Sequence, residues 1–144
     1  LDAFAGTGVL GFEAASRGAT QVQLVENDAA LVVQLKKVQI HLQADAVQVI
    51  RGDGVAALRQ SLGASLDLIF LDPPFDSTVF ESAVLAAAKA VTETGFIYLE
   101  APVKWSPDPL QAAGLQVHRY LKAGMVHAHL LKRQDATLAE TDAT

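Results

Sequence analysis

Four residues, Asp72-Pro73-Pro74-Phe75, hold the densest chemistry in the chain. They follow an apolar run, Leu66 to Leu71, interrupted only by Asp67. Such a run reads as a strand buried on both faces. Proline cannot donate to a sheet ladder, so the pair ends the strand abruptly. One strand tip then carries a carboxylate (Asp72), a carbonyl without a ladder partner (Pro73) and an aromatic ring (Phe75). In open α/β sheets ligands bind outside the carboxyl ends of the strands. Two acceptors beside a flat ring suit a planar group that bears an NH2. A strand followed by a stiff turn is the plainer reading of the same residues.

A second constellation lies near the start. Gly6-Thr7-Gly8-Val9-Leu10-Gly11 fits G-x-G-x-x-G, and Glu26 follows about 20 residues on. A carboxylate at the next strand tip can accept two hydrogen bonds from vicinal ribose hydroxyls. NAD enzymes and S-adenosylmethionine enzymes both use this device. Three features favour S-adenosylmethionine. Asp2 precedes the turn, where a carboxylate can meet a cationic amino-acid group. Asp53 follows the third strand and can accept from an adenine amino group. Asp72 stands where a methyl acceptor would sit. A diphosphate would be poorly served by Asp2, because like charges repel. Glu26 could also be an ordinary helix-start carboxylate, and Asp53 a turn stabiliser. His127 and His129 share one face of a strand, with His118 in the strand before; they read as the polar side of a half-solvated hairpin rather than a metal site. Trp105, in a proline-rich loop, reads as a packing plug. Lys36-Lys37 and Lys132-Arg133 read as solvated surface.

The elements that must position these groups alternate. A strand tail at Leu1–Phe4 leads through the glycine turn into a helix that stops at Gly18, with Gly11 allowing close packing on the sheet. Val22 to Val25 form a strand ending in Glu26. Asn27 or Asp28 caps a helix with Leu31, Leu35, Val38 and Leu42 on its apolar side. Ala46 to Ile50 form a strand, and a short helix places Val55, Leu58 and Leu62 together. After Phe75, Asp76-Ser77-Thr78 start a helix running to Val91. Gly95 to Glu100 form another strand. Pro102 to Pro109 form a loop with one helical turn. Leu115–Lys122 and Met125–Lys132 form a hairpin around Ala123-Gly124. The alternation implies a doubly wound, mainly parallel α/β sheet, with an antiparallel closing strand.

Composition limits the options. A chain of 144 residues, 51% of them hydrophobic, can build one domain with a core. No apolar stretch approaches the roughly 20 residues of a membrane span. There is no cysteine, so disulfides and thiolate metal sites are excluded; a reducing, cytoplasmic setting fits. A net charge of −5 opposes a broad basic face for nucleic acid. Leu1 falls inside a motif, so an N-terminal segment is expected to precede it.

Taken together and in order, Asp2-x-Phe4-Ala5-Gly6-Thr7-Gly8-x-x-Gly11, Glu26-Asn27-Asp28, Asp53 and Asp72-Pro73-Pro74-Phe75 resemble the class I S-adenosylmethionine-dependent methyltransferases. Within that class the chain is similar to the bacterial RsmD-type enzymes, which methylate a guanine N2 in 16S ribosomal RNA. The resemblance runs from Leu1 to about Arg133, and residues 134–144 read as a frayed tail. It implies a Rossmann-like seven-stranded sheet, order 3-2-1-4-5-7-6. It implies that Asp2, Phe4, Gly6, Thr7, Gly8, Glu26 and Asn27 hold the cofactor, that Asp53 and Gly54 meet its adenine, and that the catalytic residues Asp72, Pro73, Pro74 and Phe75 hold the target base, with Asp72 also bordering the cofactor. Ribosomal RNA or the small-subunit particle would be the partner, with a monomeric enzyme, no metal and no membrane. Family members carry an Arg-rich N-terminal arm that this chain does not show, which offers one account of its acidity. Adenine N6, a protein glutamine side chain, an NAD-dependent oxidoreductase and a non-catalytic binding module are the alternatives.

Overall fold

The computed structural model describes residues 1–135. Its elements are α1 (Val9–Ser16), β1 (Val22–Glu26), α2 (Ala29–Leu42), β2 (Val47–Arg51), α3 (Gly54–Gln60), β3 (Leu66–Leu71), α4 (Phe80–Ala90), β4 (Val91–Ala101), α5 (Pro107–Ala112), β5 (Leu115–Ala123) and β6 (Val126–Arg133). β1 pairs with β2 in parallel. β3, β4, β6 and β5 lie in that order, β3 parallel to β4 and β6 antiparallel to both its neighbours. Asp2 bridges Leu24 on β1 and Phe70 on β3, both in parallel sense. The first strand of the expected seven is thus represented by this single bridged residue between six strands.

The register fixes which residues share a face. Leu24 and Phe70 both bridge Asp2, so they point to the same side. Leu24 packs with Leu35 of α2 and Phe12 of α1. Ile69 and Leu71, on the opposite side of β3, pack with Val55 and Leu58 of α3 and with Val84 and Ala87 of α4. Helices therefore cover both faces, the doubly wound arrangement that alternating strands and helices require.

Several sequence expectations change at this level. β3 is fully buried on one face only; Leu68 and Phe70 on the other are half-exposed, because no helix among the described residues packs over that side. The helix after Phe75 starts at Phe80 rather than at Asp76-Ser77-Thr78. The turn begun by the prolines persists instead, with Ser77 N–H donating to Pro74 C=O at 3.0 Å. β4 begins at Val91, four residues early, and its pairing with β3 breaks register between Leu66 and Leu68. Leu42 and Leu62, expected on apolar faces, are 55% and 80% exposed. Leu42 ends its helix and Leu62 lies past the end of α3, so neither packs on the sheet. His127 and His129 alternate with Ala128 and Leu130 on β6 and so face the same side as buried Leu131, the helix-covered side. His129 is completely buried. Gln134 still bonds to Gly114 C=O, and the rest of the expected tail, from residue 136, lies outside the described residues. No helix among the described residues is long and apolar enough to cross a membrane.

Two glycines are demanded by geometry. Gly8 sits at φ 83° before α1, and a Cβ there would strike Phe12 and Leu35. Gly54, the first residue of α3, lies against the Ala3 carbonyl, and a Cβ would overlap that backbone oxygen. We expect Gly54→Ala to cost about 1–3 kcal/mol by overpacking. A urea unfolding curve with an unchanged midpoint would show that Ala3 can move away freely.

Candidate active site

The register that joins β1, Asp2 and β3 also aligns the residues at their carboxyl ends. Two positions beyond Leu24, Asp2 and Phe70 stand Glu26, Phe4 and Asp72. All three line one cavity of about 600 Å³ at the carboxyl ends of the strands. Strand spacing of roughly 4.8 Å puts the two carboxylates on the order of 10 Å apart, with Phe4 between them. Gly6, Asn27, Asp53 and Gly54 line the same cavity, as do Pro73, Pro74 and Phe75.

Glu26 is held by the turn around it. Gly6 N–H donates to Oε1 at 3.0 Å and Asp28 N–H to Oε2 at 2.8 Å. An ionised carboxylate has about four lone-pair sites, so each oxygen keeps capacity for a ligand hydroxyl. Asp28 itself caps α2 through Leu31 N–H at 3.0 Å. Asp53 caps α3, accepting from Ala56 N–H through Oδ2 at 2.8 Å. It is therefore a cap and a cavity residue at once, and Oδ1 remains for a ligand.

Three expected residues stand apart from the cavity wall. Asp2 is buried beneath it, its Oδ1 accepting from Phe4 N–H at 3.3 Å. Burial pushes its carboxyl up to about 7, and the charges of Asp72 and Glu26 push the same way, while the Phe4 hydrogen bond opposes. Thr7 is exposed at the outer side of the turn, and Gly8 is buried under α1, where it is needed for packing.

Asp72 lies one residue beyond the Leu71–Leu99 pair, which sets it beside Glu100 at the end of β4. Burial raises Asp72 to about 6, and the charge of Glu100 and a hydrogen bond shared with it add to the rise. Glu100 in turn accepts from Tyr98 Oη at 2.7 Å. That hydroxyl is held on its proton by burial and by Glu100. The Tyr98 ring meets Phe70 edge-on, with centroids 6.2 Å apart. Neither Tyr98 nor Glu100 was expected from the sequence. Their only signal was alternation along β4, which puts them on the Asp72 side once the pairing of β3 with β4 is known.

Ser77 was also missed, having been read as part of a helix start. It lines the cavity, and its Oγ is buried without a hydrogen-bond partner among the described residues. A buried hydroxyl without a partner costs free energy, so a polar ligand in the cavity would relieve it. The Pro73 carbonyl likewise accepts no hydrogen bond among the described residues. Such a cavity can hold a ligand with a diol at Glu26, an amino-bearing ring at Asp53 and a second amine between Asp72 and Pro73.

This fold and this cleft define a Rossmann-like methyltransferase domain, and comparison with known proteins agrees. The family model described as conserved hypothetical protein 95 matches residues 1–132. Ribosomal RNA small subunit methyltransferase D of Escherichia coli K12 is 34% identical over 144 residues, covering 99% of this chain and 72% of that protein. Two solved structures, assigned as a methyltransferase from Escherichia coli and a methylase from Haemophilus influenzae, superpose with TM-scores of 0.79 and 0.78. They are 30% and 29% identical, cover 92% and 93% of this chain, and are covered over 74% and 85% of their own length. The chain belongs to this family, the RsmD-type methyltransferases.

The carboxyl pair gives a test that needs no activity. In Glu100→Gln the like charge is gone, so the Asp72 titration followed by carboxyl 13C NMR should fall below about 6 yet stay above its ordinary 3.8, because burial remains. An unmoved titration would separate Asp72 from Glu100.

Proposed function

We propose that the protein transfers a methyl group from S-adenosylmethionine to the exocyclic N2 amine of a guanine in 16S ribosomal RNA, free or in the small-subunit particle. The observation that carries this reading is the single cavity that joins the Glu26 carboxylate to the Asp72 and Pro73 acceptors. A strand ending at Asp2 would complete a sheet of seven in the order 3-2-1-4-5-7-6, with residues 1–133 forming the catalytic domain.

The residues fit the cofactor. Glu26 keeps lone pairs that would take the ribose hydroxyls, Asp53 Oδ1 would accept from an adenine amine, and Ser77 Oγ would offer a further polar contact. Asp2 lies below the wall with its carboxyl pushed up to about 7 by burial, and a cationic amino-acid end above it would favour its ionised form. S-adenosylmethionine supplies an electrophilic sulfonium methyl group. The protein's part is to present the amine. An exocyclic amine is a weak nucleophile, because its lone pair is delocalised into the base. Hydrogen bonds from its two N–H groups to Asp72 and Pro73 aim it and favour a pyramidal nitrogen, while Phe75 stacks on the base. Positioning of this kind supplies about 7–11 kcal/mol of a barrier. As the N–C bond formed, the methyl–sulfur bond would break and leave a neutral thioether; the methylated nitrogen is acidic, and its proton would pass to the Asp72 carboxylate. The base must leave its stack to reach the cleft, at a cost of a few kcal/mol.

Asp72→Asn should abolish transfer while S-adenosylmethionine affinity stays within a few-fold. A parallel loss of affinity would make Asp72 a cofactor residue. Glu26→Ala should weaken S-adenosylmethionine binding by about 1.5–3 kcal/mol, the scale of hydrogen bonds to a charged group, as read by calorimetry. The accepting form of Asp72 is the ionised one, so the single-turnover rate should rise with pH through about 6 and level off above. A flat profile from pH 5 to 8 would remove Asp72 as the acceptor. Mass spectrometry of ribosomal RNA nucleosides from cells with and without the gene should show one N2-methylguanosine lost. A missing N6-methyladenosine or an unchanged profile would overturn the substrate.

A further inference from the structure

A second cavity, of about 390 Å³, opens on the other side of Phe75. Its aromatic wall comes from three separate segments: Phe75 from the turn after β3, Phe80 from the start of α4 and Trp105 from the loop after β4. Lys104 and Glu81 supply its charged groups. Phe75 is 38% exposed and Val103, also in the wall, is 61% exposed, so apolar surface faces solvent here. This wall is built rather than incidental. Trp105 N–H donates to Nε2 of fully buried His129 at 3.1 Å, and the other ring nitrogen of His129 faces Leu99 C=O at 3.3 Å. The Lys104 ammonium sits 4.6 Å from the centre of the Tyr120 ring, which fixes it beside the cavity.

We propose that this cavity receives the RNA nucleotide next to the target, its base between the rings of Phe75 and Trp105 and its phosphate at Lys104. The inference rests on the function proposed above and extends it to a second nucleotide. The decisive observation is which residues are absent from the wall. Asp72 and Pro73 line the main cavity and not this one. An occupant here is therefore not the base whose amine is being aimed. Phe75 belongs to both cavities, so the two occupants are neighbours separated by one ring. A base drawn into the cleft brings the next nucleotide to the cleft mouth, because the strand is covalent. Aromatic rings accept any base face, and a nearby cation accepts the phosphate; that combination is the mark of single-stranded nucleic acid binding. Glu81 can accept from a base amine or a ribose hydroxyl.

Trp105 is the only tryptophan, so its fluorescence reports this cavity alone. The probe is a short 16S ribosomal RNA fragment that the protein methylates, with versions in which an abasic ribose replaces the target or either neighbour. Quenching should survive loss of the target base and vanish with loss of one neighbour. Trp105→Ala should raise KM for the RNA roughly tenfold with little change in kcat, and Trp105→Phe should restore it; a purely structural role would instead show as a lowered unfolding midpoint and a loss of kcat, because Trp105 also packs on the core. Lys104→Gln should lower the slope of log affinity against log salt by about one. Quenching that depends on the target base alone would make this the target's own site. Methylation without any quenching, or with Trp105→Ala indifferent, would overturn this inference and leave the proposed function standing. If no RNA is methylated and S-adenosylmethionine does not bind, both fall.

Discussion

Two halves of the sheet meet on the backbone of Leu1, Asp2 and Ala3. Asp2 N–H donates to Gln23 C=O at 2.8 Å and Val25 N–H to Asp2 C=O at 2.9 Å on one side. Phe70 N–H donates to Leu1 C=O at 3.0 Å and Ala3 N–H to Phe70 C=O at 3.1 Å on the other. Among the described residues no direct pairing joins β1 to β3. This joint sets the register that aligns Glu26 with Asp72, and the chain leaves it at Phe4 through the glycine turn, opening the crevice between them. The close seat of Gly54 against the Ala3 carbonyl ties α3, and with it Asp53, to the same point. A slip of one residue at the joint would turn Glu26 and Asp72 to opposite faces, and the cavity would lose one of its two ends.

The carboxylates around the crevice are tuned differently by what surrounds them. Glu26 receives two backbone N–H groups, which fix its direction. Asp72 receives none among the described residues and lies beside Glu100, so burial and a like charge hold it near neutral pH. The first arrangement suits a static anchor for hydroxyls. The second suits a group that accepts a hydrogen bond before bond formation and a proton after it, because matching of acceptor strength to working pH is what proton transfer needs. Tyr98, donating to Glu100, keeps the second carboxylate aimed.

Local signals in the sequence carried much of this. The proline pair ended β3 where the pattern placed it, and Gly18 and Gly124 ended α1 and turned the hairpin through positive φ. These are backbone facts that a single residue type imposes. What depended on pairing between distant strands was not readable. β3 looked doubly buried because an apolar run does not say whether a helix covers each side. Glu100 and Tyr98 carry meaning only once β4 is set beside β3. His129 looked solvated because a polar residue on a terminal hairpin usually is, yet the loop at Trp105 supplies a donor to its ring, and that bond makes burial tolerable. Ser77 was hidden by a helix-start pattern that the double proline overrode.

The chain's acidity bears on the proposed reaction. Asp2, Glu26, Asp53, Asp72 and Glu100 gather at one end of the sheet in a chain with 11 basic and 16 acidic residues. Such a cleft attracts a cationic cofactor and repels a phosphate backbone. On the proposed reading RNA therefore enters base first, with the uncharged ring inside and the phosphates held outward. On the same reading the cleft would also discriminate chemically. Asp72 and Pro73 present acceptors only, so an amino group satisfies both, whereas a carbonyl oxygen in the same place would leave buried acceptors facing a third. Sites that leave a buried polar group unpaired reject a ligand strongly. On the proposed reading Asp72, raised to about 6, is still mostly ionised at neutral pH, so it keeps this selectivity and is basic enough to take the proton that methylation would release.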